Sequence, residues 1–310
     1  MPDVVITEFM DQNAVDELMS RYDTIYDPSL VDDAPRLIGL IGHARALVVR
    51  NRTSVSDDLL SHTSDLRIVA RLGVGLDNID VEACEARGIE VAPATGANAT
   101  AVAEYVVASL FVLVRRVFDL TPSVIAGNWP RSEAVGRELM GRRLGLVGYG
   151  LTAREVGRRA GALGMEVAAH DPYIARDDAA WCDTKQLDLD ELMAWSDAVS
   201  IHVPLTESTR HLIGAELMAS MKPDAVLVNT SRGGVVDEEA LIDALRSGGL
   251  AGAALDVFES EPLDEASGAR FSEVPNLVLT PHVAGITKDS EIRTGQMTAE
   301  AVRRVLGGPH

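Results

Sequence analysis

Lysine is nearly missing from this chain: Lys185, Lys222 and Lys288 are the whole complement, and every other cation is an arginine. Set against 47 acidic residues, the 28 basic ones leave a formal charge of −19. That balance argues against nucleic acid or an anionic membrane surface as partner, since both are held by clustered cations. Cysteine is as scarce. Cys84 and Cys182 lack the paired spacing of a zinc site or a redox motif, so they read as buried small hydrophobes in a reducing compartment rather than as a disulfide. No metal cluster is expected. Nor does any run approach the ~20 apolar residues of a membrane span, and Met1 to Phe9 has neither the basic start nor the apolar stretch of a signal peptide. The expected location is the cytoplasm. A protein this acidic that handles an acid must still supply local positive charge, which draws attention to Arg50, Arg52, Arg67 and Arg71.

What is present is a large apolar fraction, 46% of 310 residues, enough for about two domains of ~150 residues each. The first third alternates short β-branched runs with helical patterns: Val4 to Thr7, Ala14 to Ser20, Ala46 to Val49, Asp57 to Ser61, Ile68 to Ala70, Val81 to Arg87, and Glu90 to Ala92. Such a rhythm predicts parallel strands joined by helices. A long apolar helix is expected from about Ala99 to Arg116, followed by a turn-rich stretch at Pro122, Gly127 and Pro130. A second alternating series starts at Leu144 and passes through Val167, Val199, Val226 and Ala253 to Val278. A last helix, about Lys288 to Leu306, has no strand after it and is expected to return to the first lobe. The fold class is therefore α/β, with two doubly wound, Rossmann-like parallel sheets.

Within the second series, Leu144 to Val147 runs into Gly148-Tyr149-Gly150-Leu151-Thr152-Ala153 and then a helix from Arg154 to Leu163. Gly148 permits the tight turn, Gly150 removes a Cβ that would obstruct a pyrophosphate, and Ala153 allows close helix packing. The next strand, Glu166 to His170, ends at Asp171, where a carboxylate accepts hydrogen bonds from ribose hydroxyls and repels a 2′-phosphate. NAD is favoured over NADP.

Three later motifs fall where strands should end: Asn229-Thr230-Ser231-Arg232-Gly233-Gly234, Asp256 to Pro262, and Thr280-Pro281-His282-Val283-Ala284-Gly285. Loops at the carboxyl ends of parallel strands share one rim, so Arg232, Glu261 and His282 are expected to converge. Taken in order, these motifs resemble the D-2-hydroxyacid dehydrogenases, especially the phosphoglycerate dehydrogenase branch. The resemblance extends to Val49-Arg50-Asn51-Arg52-Thr53, to Ala70 through Asp80, to Ala103-Glu104 and to Ser231 through Glu238. It implies an NAD-binding domain, 99–282, inserted into a discontinuous substrate domain, 1–98 and 283–310, and a homodimer.

The resemblance also implies roles. Arg232 clamps the substrate carboxylate and polarises the C2 carbonyl, as its rigid fork allows. His282 is the acid in reduction and the base in oxidation, and Glu261 orients its ring and favours the protonated form. Backbone amides of Val74 and Gly75 meet the substrate carboxylate. Besides Gly148, Gly150 and Asp171, the cofactor is expected against Leu151, Thr152, Pro204, Thr230, Arg232, Asp256 and His282, with Asp256 near the nicotinamide amide. Many relatives carry an arginine and a bulky aliphatic where this chain has Leu151 and Thr152, so one pyrophosphate contact is missing.

Arg50 and Arg71 occupy positions that face a distal phosphate in the phosphoglycerate branch. They suit a C3 phosphate or sulfonate better than an apolar tail, unless they serve as salt bridges to Asp or Glu. The opening Asp3 to Asp11 also resembles the start of the sulfolactate dehydrogenases. The expected reaction is hydride transfer on a small 2-hydroxy acid, 3-sulfolactate or 3-phosphoglycerate. Hydroxypyruvate or glyoxylate reduction is the alternative within enzymes. A nonenzymatic, NADH-sensing corepressor-like module is the alternative outside them.

Overall fold

Alternating apolar residues with both faces covered make the strands of this protein. In the computed structural model, which describes residues 2–132, 134–182 and 184–307, the chain divides into two compact units, Met1–Asn98 with Ile286–His310, and Ala99–Gly285.

The first unit carries a five-stranded, all-parallel sheet: β1 (Val4–Ile6), β2 (Thr24–Tyr26), β3 (Ala46–Val49), β4 (Ile68–Arg71) and β5 (Glu90–Pro93), in the order β2-β1-β3-β4-β5. Period-two alternation sorts the side chains onto two faces. Val5, Leu47, Val49 and Val69 pack with Leu30, Leu37, Ile41 and Leu60. Val4, Ile6, Val48 and Ala70 pack on the other side with Leu18, Ala299 and Val302. The last two belong to the helix Lys288–Leu306, which Thr287 caps by accepting from Ser290 N while Ser290 Oγ accepts from Thr287 N. This strand order reverses between β1 and β3, the kind of switch point where such sheets bind ligands.

The second unit carries seven parallel strands: β6 (Arg143–Val147), β7 (Glu166–His170), β8 (Lys185–Gln186), β9 (Ala198–Ile201), β10 (Val226–Asn229), β11 (Gly252–Leu255) and β12 (Leu277–Leu279). Their order is β12-β11-β10-β9-β6-β7-β8, which places the reversal between β6 and β9. Fully buried β9, β10 and β11 read as near-continuous apolar runs for that reason, interrupted by the buried polar residues Ser200 and Asn229.

The sequence pattern misses β2 and β8. Both are very short and lie at sheet edges, where one-sided burial leaves no periodic signature. The helix after the glycine turn also starts earlier than expected, at Leu151 rather than Arg154, so Leu151 and Thr152 form its first turn. The ends of the expected substrate domain, Met1 and residues 308–310, lie outside the described residues.

Candidate active site

In the second unit, the loop after β12 presents His282 half-exposed, and its Nδ1 lies 2.7 Å from Glu261 Oε2. The other Glu261 oxygen accepts from Phe258 N at 2.9 Å, so the carboxylate is fixed against its own loop before it meets the ring. His282 sits at φ 55°, a conformation uncommon for a residue with a side chain. Its backbone is held there by N–H donation to the carbonyls of Asp256 (2.8 Å) and Thr280 (3.0 Å).

The holder of this loop is Asp256, 1% exposed. Its Oδ1 accepts from Thr280 Oγ1 at 2.6 Å and Val283 N at 2.9 Å, and its Oδ2 from Ala284 N at 2.8 Å. Tyr105, on the helix Ala99–Arg115, extends this network through its hydroxyl, 2.6 Å from Thr280 Oγ1. Burial pushes the Tyr105 phenol above its usual range, so it stays protonated. His202, beyond β9, is a poor competitor for proton transfer, because burial pushes its imidazole down to about 4.

Arg232 follows β10 in a turn built by Asn229, whose buried amide accepts from Ser231 N and Oγ and donates to Arg232 O. The guanidinium donates to Ser231 O at 2.7 Å. A Cβ on Gly233 would lie 1.7 Å from Phe258 O, so this turn and the Glu261 loop are in backbone contact that only glycine permits. His211 ties both. Its N–H donates to Gly234 O at 2.7 Å, and its Nε2 lies 3.1 Å from Glu259 Oε1. Glu259 N in turn donates to the buried carboxylate of Glu238, which also pairs with Arg270.

At the β6 end, Gly148 has φ 87°, and a Cβ there would lie 2.9 Å from His202 O. Gly150 opens onto empty space at the start of the helix Leu151–Ala162, which has no side-chain cap. Ala153 is fully buried. Asp171 Oδ2 accepts from Tyr149 N at 2.9 Å and Oδ1 from Tyr173 N at 3.0 Å, and Tyr149 stacks on Trp181 with ring centroids 4.9 Å apart.

In the first unit, Arg50 and Arg71 emerge at the carboxyl ends of neighbouring strands, since Val49 pairs with Arg71 in register. Gly73 lies at φ 142° with Arg71 Nη1 where its Cβ would be, so the Arg71 guanidinium rests against Gly73. Val74 is exposed. Arg50 makes a bidentate pair with Glu291, Nη1 to Oε2 at 2.8 Å and Nη2 to Oε1 at 2.7 Å.

Beneath this pair lies Glu8, 5% exposed at the end of β1. It accepts from four consecutive backbone amides: Arg50 at 2.8 Å, Asn51 at 3.3 Å, Arg52 at 3.1 Å and Thr53 at 2.9 Å. Burial alone raises a carboxyl, yet the amide bonds from Thr53, Arg50 and Arg52 outweigh it and hold Glu8 below its ordinary value.

Residues 107–284, more than half of the chain, match the family model described as D-isomer specific 2-hydroxyacid dehydrogenase, NAD binding domain. The chain belongs to this family. It is an NAD-dependent oxidoreductase acting on 2-hydroxy acids. Over 308 residues it is 51% identical to the (S)-sulfolactate dehydrogenase of Chromohalobacter salexigens, covering 99% of both chains. It is 36% identical to the D-3-phosphoglycerate dehydrogenase of Synechocystis over 99% of its own length and 55% of that relative's. Among solved structures it resembles the Aquifex aeolicus D-lactate dehydrogenase complexed with NAD and lactic acid, with TM-score 0.81, 28% identity, and coverage of 99% and 100%.

The residues of this dehydrogenase fit the dinucleotide. Gly150 leaves room for a pyrophosphate at an uncapped helix start, where backbone amides and the helix dipole favour an anion. The Asp171 oxygens keep lone pairs beyond those given to Tyr149 and Tyr173. Thr230 Oγ1 is buried without a hydrogen-bond partner among the described residues, a cost a protein bears where a ligand supplies the partner. Leu151 is half-exposed and offers no polar group in the first turn. No group of three or more His, Cys, Asp or Glu that could hold a metal is found among the described residues.

Sequence reading missed Glu8, Glu291, and the His211, Glu259 and Glu238 network. For Glu8 a signal existed: an acidic residue just past an apolar strand, where the carboxylate is buried unless turned outward. The Glu291 contact, 241 residues from Arg50, left none.

Proposed function

We propose that this dehydrogenase interconverts a three-carbon 2-hydroxy acid bearing an anion on C3 and the matching 2-keto acid, with 3-sulfolactate as substrate. The carrying observation is the 2.7 Å pair between His282 Nδ1 and Glu261 Oε2. A ring held by that nitrogen turns Nε2 into the proton-transfer atom, and the carboxylate stabilises the imidazolium.

When bound, NAD carries the hydride that joins or leaves C2. In reduction, His282 gives its Nε2 proton to the carbonyl oxygen, and in oxidation it takes the hydroxyl proton back. Arg232 binds the carboxylate and polarises the carbonyl, drawing charge toward the oxygen that receives the proton. The amides of Val74 and Gly75 take the remaining carboxylate lone pairs, and Asp256 fixes the His282 loop. Gly148, Gly150, Leu151 and Thr152 would hold the pyrophosphate, Asp171 the ribose, and Pro204, Thr230, Arg232, Asp256 and His282 the nicotinamide half. The substrate-binding part is 1–98 with 283–310, and the NAD-binding part is 99–282.

Arg50 and Arg71, adjacent at the ends of β3 and β4, support an anionic C3 group, and the likeness to a sulfolactate dehydrogenase supports sulfonate. The exposed apolar residues Ile125, Trp129, Val135 and Met140 support a homodimer. Both cysteines are free, Cys84 buried as expected but Cys182 exposed at the end of a short 3-10 turn, and two unpaired thiols support a reducing, cytoplasmic location.

NADH oxidation with sulfopyruvate, phosphohydroxypyruvate, hydroxypyruvate, glyoxylate and 2-ketoisocaproate tests the reading. Sulfopyruvate should give the highest kcat/KM. Preference for an uncharged keto acid would remove the C3 anion, and no turnover of any would return the NADH-sensing module.

A further inference from the structure

Glu291 is an acidic side chain that the structure sets directly on a candidate substrate cation, Arg50. The Arg50 and Glu291 pair is bidentate, each side chain is only about one-fifth exposed, and its geometry leaves little slack. Backbone bonds to Glu8 hold the start of the Arg50 loop, and Asn78 Nδ2 donates to Thr53 O at 2.6 Å and to Arg50 O at 3.3 Å. At the other partner, the Thr287 and Ser290 capping box fixes the helix turn that carries Glu291. Both ends are therefore anchored by separate elements of one unit, so the pair is built rather than a chance meeting of flexible side chains.

We infer that Glu291 sets charge selectivity at C3, tuning the Arg50 and Arg71 rim to a monoanionic sulfonate over a dianionic phosphate. The inference rests on the reading of a C3 anion given above. Arg50 paired with Glu291 brings hydrogen-bond donors to the rim without bringing net charge. Its guanidinium has five donors, and among the described residues only those on Nη1 and Nη2 facing Glu291 are taken, so others remain for a sulfonate oxygen. A phosphate monoester carries up to one more negative charge at neutral pH, and it would meet the Glu291 carboxylate across the same guanidinium. Repulsion between like charges in a half-buried setting is weakly screened. The selectivity therefore comes from a carboxylate that destabilises the wrong ligand, with no extra contact to the right one.

The test compares kcat/KM for sulfopyruvate and phosphohydroxypyruvate in the wild type, Glu291→Gln and Glu291→Asp. Glutamine keeps the size and one acceptor for Arg50 but removes the charge, and aspartate keeps the charge. The phosphate-to-sulfonate ratio should rise roughly tenfold in Glu291→Gln and stay near the wild-type ratio in Glu291→Asp. The rise should appear in KM rather than kcat. A ratio unchanged in Glu291→Gln, in an enzyme that still prefers sulfopyruvate over hydroxypyruvate, overturns the role of Glu291 and leaves the C3 anion reading intact. A ratio that rises equally in Glu291→Asp shows packing at work instead of charge and also overturns it. Wild-type indifference to both C3 anions relative to hydroxypyruvate overturns the reading and the inference together.

Discussion

The two sheet rims of this protein use acidic side chains for opposite purposes. On the rim of the second unit, Glu261 and Asp256 fix the proposed proton carrier: one carboxylate holds the ring of His282, the other the Thr280 hydroxyl before it and the Val283 and Ala284 amides after it. On the rim of the first unit, Glu8 and Glu291 fix a cation, one by gathering the backbone that bears Arg50 and the other by facing its guanidinium. Under the proposed function the contrast separates reactivity from recognition. A change on the second rim should act on kcat, and a change on the first on KM.

The largest expected effect lies on the second rim. His282→Ala should lower kcat by ~10²- to 10⁴-fold, the usual worth of a positioned acid or base, while NADH binding measured by fluorescence titration stays near wild type. Near-native kcat in both directions would end the assignment and with it the contrast. Next comes Gly233→Ala, whose Cβ would lie 1.7 Å from Phe258 O. The Arg232 turn must part from the Glu261 loop, and thermal unfolding should show about 3 kcal/mol of lost stability together with reduced kcat. An unchanged melting temperature would show that the two loops move as independent pieces.

Glu8→Gln sharpens the comparison from the other side. It should raise the KM of the anionic substrate with kcat little changed, and cost about 2 kcal/mol as a buried acceptor of several amides loses its charge. The folded Glu8 carboxyl is held below its ordinary value, so its contribution is complete above the unfolded value of ~4.3 and is lost as pH falls through the folded one. Chemical denaturation at a series of acidic pH values should therefore show the wild type and Glu8→Gln converging as the pH drops. A gap between them independent of pH would remove ionised Glu8 from the account. The smallest effect is expected from Asp171→Ala, which should relax the preference for NADH over NADPH by several-fold in kcat/KM without touching the keto-acid specificity. A preference unchanged by the substitution would point away from Asp171 as the ribose acceptor.

The two rims also differed in how legible they were. Gly148, Gly150 and Asp171 follow two successive strands, and Arg232, Glu261 and His282 each close a strand with a short motif, so local sequence carried their positions. Their spacing said nothing of Gly233 against Phe258, or of His211 bridging two loops, because those contacts depend on how neighbouring strands stack. Asp256 could be placed near the reacting centre, but its burial and its hold on Val283 and Ala284 emerge only when β11 and β12 lie side by side. On the first rim the arginines were visible and their partners were not. Glu8 meets its amides 42 to 45 residues away, and Glu291 arrives on the returning helix.

Asp171 carries a lesson for anyone wishing to re-engineer the coenzyme. Its two oxygens are tied to the amides of Tyr149 and Tyr173, so the carboxylate that would read the ribose also braces the middle of the glycine turn, whose tyrosine is clamped against Trp181. Deleting the charge by alanine takes away the brace as well, leaving the Tyr149 amide without its acceptor and the turn less well defined for either nucleotide. Asparagine or serine at this position keeps an acceptor for that amide while dropping the charge, so a coenzyme swap built on either would start from an intact turn.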